Sequence, residues 1–342
     1  VGRATKINSI TSPELLAQIN PQNQRLVKDF LMYLKSIQRA DTTIESYKND
    51  LEIFFVWNLQ NAGNKFFVDV SKRDIISYQS YLLTENENSP ARVRRLKASL
   101  SSLSNYIENI LDDEYPGFKN IINKIESPVN EPVRQKSVFT EAQIQGLLSF
   151  LVENKQYQKA CAVALAAYSG ARKSELLRFK VAYFDDKNIV FGSLYKTPEK
   201  IRTKGRGKQG KQLNKYVLSK KFKPYFDLWM ADRAEKGIDG EWLFVNITGG
   251  EWQQMQTSTL DTWCDSFSKV LGMPFYWHSM RHMFATELKR TGLPDSVIVS
   301  LFGWKNADML TIYDDSEADE NLDKFFSEDG IVIPAAATVK DL

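Results

Sequence analysis

Apolar residues recur at helical spacing through the first third of the chain. Phe30, Leu31, Leu34 and Ile37 form one stripe, and Ile44, Tyr47, Leu51, Phe54, Phe55 and Trp57 a second. Positions three and four apart share a helix face, so each stripe predicts an amphipathic helix. Asp41 or Thr42 is the expected cap of the second. A third helix is expected from Ser71 through Ile75, Tyr78, Tyr81 and Leu82. The fourth opens at Ser89-Pro90, a capping serine followed by proline at the first helical position, and carries Val93, Leu96, Leu100, Leu103, Tyr106 and Ile107. Four such helices predict a compact bundle.

The pattern lapses over residues 127–136, where two prolines and few bulky side chains read as an extended linker. Beyond it, Thr140-Glu141-Ala142 opens a helix with Ile144, Leu147 and Leu148, and residues 160–168 form a strongly apolar helix. Short strand-like pieces at 188–191, 201–204 and 215–218 predict a small antiparallel sheet whose hairpin holds Gly205, Gly207 and Gly210. Helices are expected again from Lys221 onward. The fold class is thus mainly α with a small antiparallel β-sheet: a helical bundle, then a mixed α+β domain. The expected boundaries are an extension at 1–23, the bundle at 24–126, a linker at 127–137, the second domain at 138–326 and a tail at 327–342.

Length supports the division, because 342 residues exceed what one hydrophobic core usually serves. Apolar content of 43% and charged content of 25% describe an ordinary globular protein. No apolar run reaches membrane-spanning length, and the N-terminus lacks the apolar core of a signal peptide. Cys161 and Cys264 are too far apart in sequence to suggest a disulfide framework, so a reducing, cytoplasmic setting is expected. The chain starts at Val1 rather than methionine, which leaves room for an upstream domain.

A net charge of +3 is too small to mark a polyanion binder, and the distribution says more. Lys196, Lys200, Arg202, Lys204, Arg206, Lys208, Lys211 and Lys215 crowd one stretch, a local surface suited to a phosphate backbone. Arg92, Arg94, Arg95 and Lys97 gather near the N-terminal end of the fourth helix, where cations oppose the helix dipole. A phosphate between them would relieve that conflict.

The chain has only two histidines, both in His278-Ser279-Met280-Arg281-His282. On a helix, His278 and Arg281 share a face and can converge on one anion. Tyr313, nine residues after Trp304, is the candidate nucleophile. At roughly 100° per residue an unbroken helix would put those two on opposite faces, so the helix must break between them. Gly303 can end one helix in the left-handed conformation and Asn306 can cap the next. Upstream, Arg172 follows a glycine turn, with Glu175 one turn later on the same face. That glutamate is expected to orient the arginine.

Together these blocks resemble the tyrosine recombinases, the family of phage integrases, Xer proteins and Cre. The matching segments are Gly170-Ala171-Arg172-Lys173-Ser174-Glu175-Leu176, a hairpin lysine, His278 to Thr286, and Leu301-Phe302-Gly303-Trp304 with Tyr313 at the expected distance. The bundle resembles the family's SAM-like core-binding domain through Phe30-Leu31, Tyr33-Leu34, Thr43-Ile44, Tyr47, Trp57 and Ser89-Pro90-Ala91-Arg92. The resemblance implies an enzyme that cleaves and rejoins DNA by transesterification. Tyr313 would form a 3′-phosphotyrosine and release a 5′-hydroxyl. Arg172 and Arg281 would clamp the non-bridging oxygens, and His278 would move or orient a proton. Lys204 would protonate the leaving oxygen, with Lys208 and Lys211 as competitors. Trp304 stands where histidine is commoner, and its indole N–H can donate but not shuttle a proton.

No cofactor or metal is implied; the pair His278 and His282 lacks both a third ligand and the glutamate of a zinc protease, and His282 reads as packing. The implied DNA contacts are Thr42, Thr43, Arg92, Arg94, Arg95, Lys97, Lys173, Arg206 and Lys208. The implied partners are double-stranded DNA with paired inverted repeats, a homotetramer clamped on two sites and an accessory directionality factor, at the nucleoid. A segment with Leu322, Phe325 and Phe326 would form a short helix that docks on a neighbour. The rival readings are a type IB topoisomerase-like relaxase and a non-catalytic DNA-binding regulator.

Overall fold

The computed structural model describes residues 10–129, 139–203 and 210–304, together with Leu310 and residues 326, 327, 330 and 331. The described residues fall into two compact units, one up to Val129 and the other from Phe139 onward.

The first unit is wholly helical: α1 (Pro13–Ala17), α2 (Pro21–Ser36), α3 (Asp41–Asn61), α4 (Lys72–Thr84) and α5 (Pro90–Ile110). Local chemistry sets the starts. The Ser71 hydroxyl accepts from the Asp74 N–H while the Asp74 carboxylate accepts from the Ser71 N–H, a reciprocal capping box. Ser89 caps α5 with Pro90 behind it. At α3 the expectation fails: Ala40 is the cap without a side-chain bond, and Asp41 is already helical, where its charge suits the dipole. The predicted stripes close the core, with Phe54 meeting Tyr78 edge-to-face at 5.1 Å. The stretch read as an extension also contributes, since Ser12 caps α1 and both Ile10 and Ile19 join the same core.

The second unit contains α6 (Glu141–Glu153), α7 (Tyr157–Ser169), the single turn α8 (Lys173–Leu176), β1 (Ile189–Val190), β2 (Leu194–Lys196), β3 (Ile201–Arg202), β4 (Gln212–Leu213), β5 (Tyr216–Leu218) and α9 (Ser219–Glu235). It continues with β6 (Val245–Thr248), β7 (Glu251–Gln254), α10 (Thr257–Leu271), α11 (Trp277–Arg290) and α12 (Asp295–Phe302), and with β8 (Phe326–Ser327) and β9 (Gly330–Ile331). Helix α7 is its axle: every residue from Ala160 to Ser169 is buried, and α6, α9 and α11 pack around it. Its alanines let those neighbours approach closely.

Three expectations need correction. The strands pair as two sheets rather than one, β1-β2-β5 and β3-β4, and β2 was not foreseen. Helices do not run unbroken after Lys221, because β6 and β7 form an antiparallel hairpin across Gly249 and Gly250, both at positive φ. Phe326, expected in a helix, lies instead in β8 paired with β9; Leu322 and Phe325 lie outside the described residues. Among the described residues, no helix is long and apolar enough to cross a membrane.

Candidate active site and nucleic-acid interface

Helix α7 ends at Gly170, whose φ of +56° only glycine adopts without strain. Space demands glycine too, since a Cβ there would lie 2.5 Å from Phe302 and 2.9 Å from Phe284. Gly170→Ala should therefore lower stability by about 2–4 kcal/mol, from overpacking and left-handed strain together. Urea denaturation measures this, and an unchanged midpoint would contradict the packing described.

The turn delivers Arg172 to the start of α8. Glu175, fully buried, receives the Arg172 backbone N–H on Oε2 at 3.0 Å and the guanidinium Nη1 on Oε1 at 2.9 Å. Glu175 thus orients Arg172, as the spacing predicts. A third donor was not foreseen: Lys215 Nζ lies 2.7 Å from Glu175 Oε2 and is itself only 2% exposed. Burial alone would raise the Glu175 carboxyl, but Lys215 and then Arg172 outweigh it and hold it below the usual carboxylate range. Burial, opposed by Glu175 and reinforced by the charges of Arg281 and Arg172, pushes the Lys215 ammonium below the usual lysine range.

Arg281 arrives from α11. It is 1% exposed, and its Nη1 donates to the Gly170 carbonyl at 2.6 Å, joining the segment that carries His278 to the one that carries Arg172. Its guanidinium lies over the rings of Phe302 at 4.5 Å and Trp304 at 5.1 Å. Those two rings stack with centroids 4.4 Å apart. His278, in the first turn of α11, is exposed on one side. Desolvation first, then the charges of Arg281 and Arg172, lower its pKa, so the ring is neutral at pH 7. His282 is half-buried and packs edge-to-face on His278 at 5.1 Å, the role expected of it.

The expected helix end at Gly303 is present. Gly303 has φ +65°, its N–H bonds to the Ser300 carbonyl, and the Trp304 N–H bonds to the Val299 carbonyl, which is a Schellman closure. The hairpin β3-β4 docks on this turn: Lys211 Nζ donates to the Gly303 carbonyl at 2.8 Å, and a Cβ on Gly303 would collide with Leu213. Lys211, a competitor for the acid role, is therefore engaged elsewhere. Lys204, Arg206, Lys208, Asn306 and Tyr313 lie outside the described residues.

The residues expected to contact DNA divide. Thr42 is exposed and Thr43 half-buried in the first turn of α3. Arg92 donates to Asp50 at 2.8 Å and Arg95 approaches the same carboxylate at 3.4 Å, so a buried acid already supplies part of the relief that a phosphate was expected to give. Arg94, exposed, donates to the Pro128 carbonyl. Lys97 is a correction: it is 3% exposed and its ammonium donates to the carbonyls of Ile125 and Glu126, which takes it off the exposed surface. Lys173 bonds both oxygens of Asp261 at 2.7 Å.

The family model "Phage integrase family" matches residues 137–320, more than half of the chain, and "Phage integrase, N-terminal SAM-like domain" matches residues 26–116. The SPbeta prophage-derived recombinase-like protein YomM of Bacillus subtilis (strain 168) is 28% identical over 331 residues, covering 95% of this chain and 96% of that protein. A tyrosine recombinase of Pseudothermotoga lettingae is 24% identical over 298 residues, 85% of this chain and 93% of its own length. Among solved structures, the Tn1549 transposon integrase in complex with circular intermediate DNA superposes with a TM-score of 0.63 at 18% identity, covering 87% of this chain and 98% of that one.

Proposed function

The chain belongs to the phage integrase family and is a tyrosine recombinase, and from that premise we propose that it cuts and rejoins DNA at specific sites through a 3′-phosphotyrosine on Tyr313. The observation that carries the reading is the hydrogen bond from Arg281 to Gly170, which brings together groups 111 positions apart. Around it gather two guanidinium groups and an imidazole whose proton affinity both of them depress.

In the proposed reaction the Tyr313 oxygen attacks phosphorus and its proton passes to His278. The bond to the 5′-oxygen breaks, and Lys204, between β3 and β4 in sequence, supplies the proton that this oxygen takes. Arg172 and Arg281 hold the non-bridging oxygens as charge builds in the pentacoordinate transition state, a task for rigid, permanently charged forks. Trp304 braces Arg281 from the side of the Phe302 stack and offers its indole N–H to the phosphate. Reversal on another strand's 5′-hydroxyl completes exchange, with the bond energy kept in the phosphotyrosine. Thr42, Thr43, Arg92, Arg94 and Arg95 on the bundle, with Lys173, Arg206 and Lys208, are proposed to meet the DNA backbone.

A neutral His278 at pH 7 fits an acceptor of the tyrosine proton. Because its pKa is lowered, the neutral form persists further into acid than for free imidazole. At subsaturating DNA the acid limb of the cleavage rate should therefore fall below pH 6.5, the ordinary histidine value. A limb above that value would contradict the electrostatics described.

The proposed setting is integration or excision of a mobile element by four protomers on two inverted-repeat sites. A prophage-derived relative and the fold shared with a transposon integrase support it. The test is to mix the purified protein with two plasmid-borne copies of the repeats that flank its own gene. Joined recombinant products are expected. Relaxation of supercoiled plasmid that lacks any such site, without recombinants, would replace this reading with a topoisomerase-like one.

A further inference from the structure

Lys215 belongs by sequence to the basic run, yet it does not share that run's surface. Its backbone is held on both sides by one residue: its N–H donates to Thr197 Oγ1 at 3.0 Å and its carbonyl accepts the Thr197 N–H at 2.9 Å. The next residue, Tyr216, pairs with Lys196 in the β2-β5 ladder. Its Cα is therefore fixed by the three-stranded sheet. From there the side chain runs inward to Glu175.

The consequence lies in how the carboxylate is held. Arg172 alone bonds both oxygens of Glu175 from one direction, across α8, and a carboxylate bonded from one side can rotate and tilt. Lys215 bonds Oε2 from the sheet, so the plane of the carboxylate is set from two independent elements. A buried ion pair contributes little net stability, because desolvation offsets most of the attraction. Orientation is what such a pair can supply. We infer that Lys215 is a positioning residue for DNA cleavage, acting through Glu175 to hold the Arg172 guanidinium at the angle that meets the scissile phosphate. The inference rests on the assignment of Arg172 to that phosphate made above.

The charged groups around Glu175 are Arg172 on its own turn, Lys215 from the sheet and Arg178 beyond α8; Arg281 and Arg172 face Lys215. In Lys215→Met the largest influence holding Glu175 ionised is lost, and burial then favours its protonated form. A protonated Glu175 loses its charge and turns one oxygen into a donor, so its bonds from the backbone and the guanidinium of Arg172 weaken. The acid limb of the cleavage profile should therefore move to higher pH.

The experiment measures single-turnover formation of the covalent adduct on nicked DNA across pH, with DNA affinity and thermal unfolding measured alongside. Lys215→Met should bind DNA within about twofold of wild type and cleave about 100-fold more slowly near neutrality. Its rate should recover partly as pH rises, and Lys215→Arg should restore most of it. A folded Lys215→Met with the wild-type rate and pH profile would overturn the inference. Where the single variant fails to fold, Glu175→Gln with Lys215→Met removes both charges and should fold. That double variant is expected to cleave slowly, and a wild-type rate there would be equally fatal. Absence of any adduct from wild type would instead strike at the assignment of Arg172.

Discussion

Arg281→Ala is expected to lower the rate of DNA cleavage by about 10²–10³-fold, the usual cost of removing one donor aimed at transition-state charge. The structure adds a second cost. The guanidinium ties α11 to the carbonyl of Gly170 and lies over Phe302 and Trp304, so truncation also leaves a buried gap between α7, α11 and the end of α12. The variant should melt at lower temperature, and Arg172, two residues beyond Gly170, should lose its alignment. Arg281→Lys separates the two effects. It keeps the charge and much of the volume but loses the planar fork, so it should remain folded and still cleave slowly. Single-turnover cleavage and thermal melting measure both. An Arg281→Lys protein that cleaves at the wild-type rate would show that charge alone suffices there.

What the sequence made legible was whatever is encoded locally. Ser71, Ser89-Pro90 and Thr140 announced their helices because a capping side chain and its partner N–H lie within one turn. Gly303 announced a helix end because positive φ selects glycine. Arg172 and Glu175 were readable as a pair for the same reason.

Distance in sequence hid the rest. Lys215 looked like one more solvated cation, since nothing nearby tells that its ammonium reaches a glutamate forty positions upstream. Lys97 misled in the same way, its partners being carbonyls 28 and 29 residues on. Asp50 stands within an apolar stripe and went unread, although its carboxylate collects Arg92, Arg95 and the Ser99 hydroxyl from α5. Strands of two to four residues, such as β2, β6 and β7, are too short for alternation to emerge from background. The Gly249-Gly250 turn between β6 and β7 was the available signal.

Tyr313→Phe carries the largest expected effect. The substitution removes one oxygen and leaves the ring, so folding and DNA binding should be unchanged while covalent chemistry disappears. Phenylalanine has no oxygen lone pair with which to attack phosphorus, and nucleophilic catalysis requires one. The most direct measurement of covalent catalysis is trapping on a nicked suicide substrate, in which the 5′-hydroxyl fragment diffuses away after cleavage. Wild-type protein is expected to accumulate a denaturation-resistant adduct joined through Tyr313 to a 3′-phosphate, and Tyr313→Phe to accumulate none. An adduct that survives in Tyr313→Phe, or a wild-type protein that forms none on its own attachment DNA, would contradict the account.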